Sequence, residues 1–140
     1  MYRIIAHTAD TGLEVEAASL EELYQEAAKG WKELVLENAP TQPVDWKHIQ
    51  LSASDREDLL VQWLSELNFL LTVRFWVLHE VAAIHIHPQA GGWQLQAKIS
   101  GEPFDNKRHH IHFEIKAITY HQLRIRQENG RYHTRIIFDI

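Results

Sequence analysis

Hydrophobic positions along the chain recur at two periods, and the change between them divides it. Two short strand-like runs come first, Tyr2 to Ala6 and Leu13 to Ala17. Ser19-Leu20-Glu21-Glu22 then has the spacing of a capping box, in which a Ser hydroxyl and a Glu carboxylate satisfy backbone donors at a helix start. Leu20, Leu23, Tyr24, Ala27, Ala28, Trp31, Leu34 and Val35 follow the i, i+3, i+4 recurrence of one helical face. That leaves Glu21, Glu22, Gln25, Lys29, Lys32 and Glu33 for water. Asn38 and Pro40 end the helix, since proline lacks the N–H that the next turn would need. A strand is predicted over Val44 to Ala53. Ser54-Asp55-Arg56-Glu57 repeats the capping spacing before a second helix, whose buried stripe is Leu59, Leu60, Trp63, Leu64, Leu67, Leu70 and Leu71. The run Phe69 to Leu78 is apolar nearly all round, so burial in the core is expected there, with a subunit contact as the alternative.

From Val81 onward the period becomes two. Strands are expected near 81–87, 93–100, 111–120, 121–127 and 131–139. Gly91-Gly92 marks one hairpin turn, and Asn129-Gly130 tolerates the positive φ angles of a type I′ turn. In the last strand Tyr132, Thr134, Ile136, Phe138 and Ile140 share one face, while Arg131, His133, Arg135, Ile137 and Asp139 take the other. This order of elements indicates an α+β fold, with two amphipathic helices packed on a largely antiparallel sheet.

Composition narrows the class. The 140 residues fit a single domain spanning 1–140, and 45% hydrophobic with 24% charged residues is the balance of a globular chain. With 14 Lys plus Arg against 19 Asp plus Glu, the charge of −5 argues against strong direct nucleic-acid binding, although a local basic patch stays open. The chain has no cysteine, which excludes disulfides, thiolate metal sites and a Cys nucleophile. The start reaches His7 and Asp10 before a signal-peptide core could form, and no apolar run is long enough to span a membrane. A cytoplasmic protein, not associated with membranes, is expected.

Three sets of residues could carry chemistry. His7-Thr8-Ala9-Asp10-Thr11-Gly12 places an imidazole, hydroxyls and a carboxylate in one connection; its plain structural reading is a polar turn with Asp10 capping a backbone N–H. At the other end, Asp139 and the α-carboxylate of Ile140 would lie within a few ångströms of each other. Hard cations take such oxygen ligands, so this is half a site that Asp10 could complete; the structural alternative is an Asp139 at the sheet edge that is solvated or paired with Arg135. The second set is drawn from the ten histidines. His85 with His87, and His110 with His112 beside His109, have the strand spacing that points two rings to one face. The third is Glu114, Lys116, Ile118 and Tyr120, which alternation would align on one face. No phosphate-binding glycine loop and no nucleophilic Ser or Cys motif accompanies them, so self-contained catalysis is not expected.

HTADTG near the start, Ser19-Leu20-Glu21-Glu22-Leu23, Glu114-Ile115-Lys116-Ala117-Ile118-Thr119-Tyr120-His121 and the ending Phe138-Asp139-Ile140 together resemble the archease family over the whole chain. The resemblance implies an accessory factor rather than an enzyme. Its partner would be an RtcB-type RNA ligase, whose active-site histidine it helps to guanylylate, allowing repeated turnover in tRNA splicing and RNA repair. It further implies a divalent cation, calcium in most members with Mg²⁺ or Mn²⁺ as alternatives, held by Asp10, Asp139 and the carboxylate or backbone of Ile140. Lys116, Glu114 and His109 would then serve the ligase contact, and His7 and Thr8 would support the loop. Two departures stand out: Thr11 where members commonly have an apolar residue, and His110-Ile111-His112-Phe113 where they commonly have a charged, often Pro-containing stretch. Competing expectations are a small His-cluster metalloenzyme and a general chaperone or scaffold.

Overall fold

The computed structural model describes residues 1–6, 10–37 and 39–140. Along the chain the elements are β1 (Tyr2–Ala6), β2 (Asp10–Ala17), α1 (Leu20–Leu36), β3 (Asp45–Ala53), α2 (Arg56–Thr72), β4 (Trp76–Gln89), β5 (Gly92–Pro103), β6 (Ala117–Ile118), β7 (Arg126–Glu128) and β8 (Arg131–Asp139). All strand pairs are antiparallel, in two sheets. One runs β1-β2-β8, with β6 and β7 sharing the far edge of β8; the other runs β3-β5-β4. The α+β class is as expected, with two sheets where one was foreseen.

Helix α1 starts as its sequence predicts. Ser19 Oγ accepts the Glu22 N–H at 3.1 Å, and the Glu22 carboxylate reaches back to the Ala18 N–H. Helix α2 starts one residue later than the box spacing suggests. Asp55, not Ser54, is the cap, its Oδ1 accepting the Asp58 N–H at 2.7 Å. Glu57 is thereby free to accept the Ile125 N–H at 2.8 Å, tying a distant segment to the helix start. Trp31, Trp63, Tyr24 and Phe138 are among the largest fully buried side chains. Burying an indole or phenol leaves a polar atom that needs a partner. Trp31 Nε1 donates to Asn68 Oδ1, Trp63 Nε1 to the Tyr24 carbonyl, and Tyr24 Oη to the Arg56 carbonyl.

Two expectations fail for physical reasons. The run from Phe69 to Leu78 is not uniformly buried. Leu70, Leu71, Trp76, Val77 and Leu78 enter the core, whereas Phe69 is exposed on the solvent side of α2, and Val73 and Phe75 are exposed because α2 ends at Thr72 and the chain turns into β4. Residues 111–120 and 121–127 do not form full strands; only Ala117–Ile118 and Arg126–Glu128 join the sheet. Ile115 and Ile118 point inward three residues apart, so strict alternation breaks, and Ile118 is buried while Lys116 and Tyr120 are exposed. The side chain of Asn68 on α2 supplies one of this segment's replacements for ladder bonds, donating to the Ile115 carbonyl at 3.0 Å.

The stretch before it is organised by a buried carboxylate. Glu102, 3% exposed at the end of β5, accepts from Arg108 and from the Gln42 N–H at 2.6 Å, with His109 Nε2 3.4 Å away. Burial works to raise its pKa. The hydrogen bonds from Arg108 and Gln42 and the charge of Arg108 outweigh that and hold it below the ordinary 4.5. A carboxylate whose folded pKa is depressed stabilises the fold in full above the unfolded value and loses that contribution as pH falls through the folded one.

The β2–β8 pair is equally particular. Gly12 lies opposite Ile137, and a Cβ added there would be 2.4 Å from the Ile136 carbonyl oxygen and 3.1 Å from Ile137 Cδ1. Gly12→Ala is therefore expected to destabilise the protein by about 1–3 kcal/mol in chemical denaturation, as overpacking against rigid backbone does. Glu102→Ala, which strands the Gln42 N–H and the His109 ring, should cost about 2–4 kcal/mol near neutral pH. Comparing melting temperatures of wild type and Glu102→Gln at neutral pH and below pH 4 should show the gap narrowing in acid.

Candidate metal centre

Strands β2 and β8 bring two of the chain's three expected cation ligands, Asp10 and Asp139, opposite each other. Asp10 is the direct cross-strand partner of Asp139, which sets their Cα atoms about 5 Å apart with side chains on the same face. Period two does the sorting. Thr11, Leu13, Val15, Ile136 and Phe138 are buried on the inner face, so Asp10, Gly12, Ile137 and Asp139 take the outer one. The face assignment read from the last strand holds. Thr11 fits its inward position because its Oγ1 donates to the Ile5 carbonyl at 3.0 Å.

Two features of this pair call for a positive charge. Like charges placed directly opposite across a ladder repel. In addition, Asp10 Oδ1 is buried with no hydrogen-bond partner among the described residues. An unpartnered buried carboxylate oxygen is costly, and a hard divalent cation, which takes several oxygen ligands, would answer both features. The donor set fits such an ion: two carboxylates and the backbone of a strand end, with no sulfur. Ile140 follows Asp139 directly, its side chain packed against the core.

The surroundings are set by β6. Ala117 pairs with Asp139 on the side away from Asp10, and the Lys116 N–H donates to the Asp139 carbonyl at 2.8 Å. Lys116 and Glu114 are exposed near this strand end. Tyr120 does not join them on one face: its hydroxyl donates to Asp58 Oδ1 at the start of α2, and that hydrogen bond, followed by burial, raises its pKa.

His109, expected at a partner-facing surface, is 2% exposed. Its Nδ1 accepts the Asp105 N–H at 2.9 Å, which places the ring proton on Nε2, toward Glu102. It braces the 105–109 turn and does not present its ring to a partner. The buried Glu102 draws it in, and alternation along the sequence carries no signal of that carboxylate. His110 and His112 lie outside any strand, and His112 Nδ1 is 2.9 Å from Glu37 Oε1. His85 and His87 are exposed on β4, with His87 Nε2 3.0 Å from Gln94 Oε1. Among the described residues no group of three or more His, Cys, Asp or Glu side chains converges on a metal position. The histidine clusters therefore do not assemble a site there. The loop-support roles expected of His7 and Thr8 fall outside the described residues.

Known proteins share this architecture. The Archease protein family (MTH1598/TM1083) matches residues 2–140. Protein archease of Methanopyrus kandleri is 31% identical over 136 residues, covering 97% of this chain and 96% of that protein. Protein archease of Methanosarcina mazei is 30% identical over 139 residues, covering 99% and 95%. Among solved structures, the solution structure of Methanobacterium thermoautotrophicum protein 1598 superposes with a TM-score of 0.80 at 26% identity, covering 99% of this chain and 98% of that one. The crystal structure of an archease from Thermotoga maritima, described as a possible chaperone, has a TM-score of 0.67 at 22% identity, covering 97% and 94%. With the family match running from residue 2 to residue 140 and relatives of about 30% identity covered almost end to end, this chain belongs to the archease family.

Proposed function

We propose that this protein activates an RtcB-type RNA ligase, promoting guanylylation of the ligase's active-site histidine and repeated turnover in tRNA splicing and RNA repair in the cytoplasm. Among the described residues no helix is long and apolar enough to cross a membrane, in keeping with that setting. The observation that carries the reading is the Asp10–Asp139 cross-strand pair, with Asp10 Oδ1 buried and without a hydrogen-bond partner among the described residues. In this reading Asp10, Asp139 and the carboxylate or backbone of Ile140 hold a divalent cation, calcium foremost, with Mg²⁺ or Mn²⁺ as alternatives. When bound, the ion would neutralise the facing carboxylates and offer a positive charge to phosphate oxygens.

The chain's own residues position rather than react. The Lys116 backbone is fixed to the same strand end, which leaves its ammonium to meet a phosphate as a point charge. Glu114, exposed on the same segment, is available to a partner's donor. His109 contributes indirectly, through the Glu102 network at the start of the 105–116 stretch. The nucleophile and the nucleotide pocket belong to the ligase, so the chain is an accessory factor and not itself the enzyme.

The test is a guanylylation time course with the ligase of the same organism, GTP and manganese. Wild type should accelerate formation of the guanylylated ligase. Asp10→Ala and Asp139→Ala, with melting behaviour showing that they fold, should lose most of that stimulation; stimulation at the wild-type level by both would refute the reading. Lys116→Ala should reduce stimulation while leaving calcium affinity within about twofold, since a point charge for phosphate is separable from the oxygen ligands.

A second reading has its own observation. Phe69, Val73 and Phe75 stand 40%, 53% and 65% exposed in one stretch, and the Thermotoga maritima relative is described as a possible chaperone. Suppression of aggregation of unrelated clients, lost on Val73→Ser with Phe75→Ser while ligase stimulation persists, is the outcome that would establish client binding as a separate activity.

A further inference from the structure

The outer face of the β1-β2-β8 sheet carries a second feature, distinct from the Asp10–Asp139 corner. The 119–126 segment rises along β8 and walls an open groove of about 910 Å³. Arg124 and Arg126 line it from one side, and His133 and Arg135 line its floor. In a chain of formal charge −5, this concentration of guanidinium groups is out of keeping with the average. Thr134 Oγ1 donates to the Arg124 carbonyl at 3.0 Å, and Ile125 N–H is held by Glu57, so the wall is built and not draped.

The acids beside the groove are already engaged. Glu14 and Glu16 lie on its far side, opposite Arg135 and His133 in the β2–β8 register. Glu14 is ion-paired to Arg3 and Glu16 to Arg131 at 2.8 Å. Glu16 has a lowered pKa, first through its hydrogen bond from Arg131. Arg124, Arg126 and Arg135 form no ion pair among the described residues, and all three are exposed.

We propose that this groove binds the phosphodiester backbone of single-stranded nucleic acid. Residues two apart on an extended strand are about 7 Å apart, and His133 and Arg135 have that spacing on β8, with Arg126 paired to His133 across the ladder. That spacing is comparable with the separation of neighbouring phosphates on an extended nucleic-acid strand, and guanidinium groups grip phosphate oxygens in bidentate fashion. Among the described residues no aromatic side chain other than His133 lines the groove, so phosphate contacts rather than base stacking carry the binding. The affinity is accordingly modest and strongly dependent on salt. Along β8 the floor continues from Arg135 through Ile137 to Asp139 on the same face, about 13 Å on. A strand in the groove would therefore be directed at the carboxylate pair. The inference stands apart from ligase activation, because it concerns the isolated protein and a different set of residues.

The experiment is fluorescence anisotropy of the full chain, without ligase, against a labelled 15-nucleotide uridine-rich RNA, its adenosine-rich counterpart, and a polyglutamate of matched charge. Expected are saturable binding of both RNAs at 50 mM salt with similar affinity, and about 20-fold weaker binding at 200 mM, the loss that neutralising three phosphates entails. Arg124→Ala, Arg126→Ala and Arg135→Ala combined should weaken binding at least tenfold with an unchanged melting temperature. Lys29→Ala, Arg74→Ala and Lys107→Ala combined, the same change in net charge elsewhere, should leave it within about twofold. The proposal is overturned if neither RNA binds at 50 mM salt, if the two triple variants behave alike, or if polyglutamate binds as tightly as RNA, which would make the groove a site for an acidic protein segment.

Discussion

The antiparallel pairing of β2 with β8 is the constraint on which the rest depends. It joins residues from opposite ends of the chain, and because side chains alternate with period two, one register decides every outward and inward position along both strands. A slip of one residue would turn Phe138 toward water and Asp139 into the core. Burial of Leu13, Val15, Ile136 and Phe138 against the helices forbids that slip, and Gly12 allows the close approach that the correct register needs. The facing carboxylates are thus positioned by the hydrophobic core rather than by any attraction between them. Asp10 Oδ1 is buried without a hydrogen-bond partner among the described residues, an arrangement that a bound cation would relieve.

Between β5 and β8 the chain follows different rules. Ladder bonds are few there, and long-range side-chain contacts replace them: Glu102 gathers Arg108 and His109, Asn68 takes the Ile115 carbonyl, Asp58 accepts from Tyr120, and Glu57 accepts from Ile125. Helix α2 therefore acts as a post to which the segment carrying Lys116 and Arg124 is tied. Because two of these ties come from acids in the first turn of α2, they also suit the positive end of its macrodipole. Both proposed ligand surfaces lie on the outer face of one sheet, and both depend on how this irregular segment is held.

The sequence makes the regular parts legible and hides the irregular ones. Helix α1 could be read because Ser19, Glu22 and its apolar stripe all act within one turn or one face. The faces of β8 could be read because its alternation is unbroken up to Ile136, and the family resemblance supplied the link between Asp10 and Asp139 that spacing alone could not. The 111–127 stretch misled because its alternating composition suits a strand, while its actual partners, Asn68, Asp58 and Glu57, are roughly fifty to seventy residues away. His109 misled for the same reason: nothing local marks Glu102 as buried, since the groups that cover it, Gln42 and Arg108, come from two separate connections. Val73 and Phe75 read as core because hydrophobicity does not report where a helix ends, and Phe69 because it does not report which side of the helix meets solvent. The basic groove has no local sequence signature, because its arginines are individually ordinary and become a feature only where the segment carrying Arg124 and Arg126 lies along β8.

The chain is a small scaffold that offers facing carboxylates and a row of arginines on one sheet face. The carboxylate pair is the centre of that account. Calorimetric titration of the metal-stripped protein with calcium tests it most directly. One ion per chain is expected, with affinity lowered about 10-fold to 100-fold or more in both Asp10→Asn and Asp139→Asn. No binding heat in the wild type, or the same affinity in both variants, would contradict it.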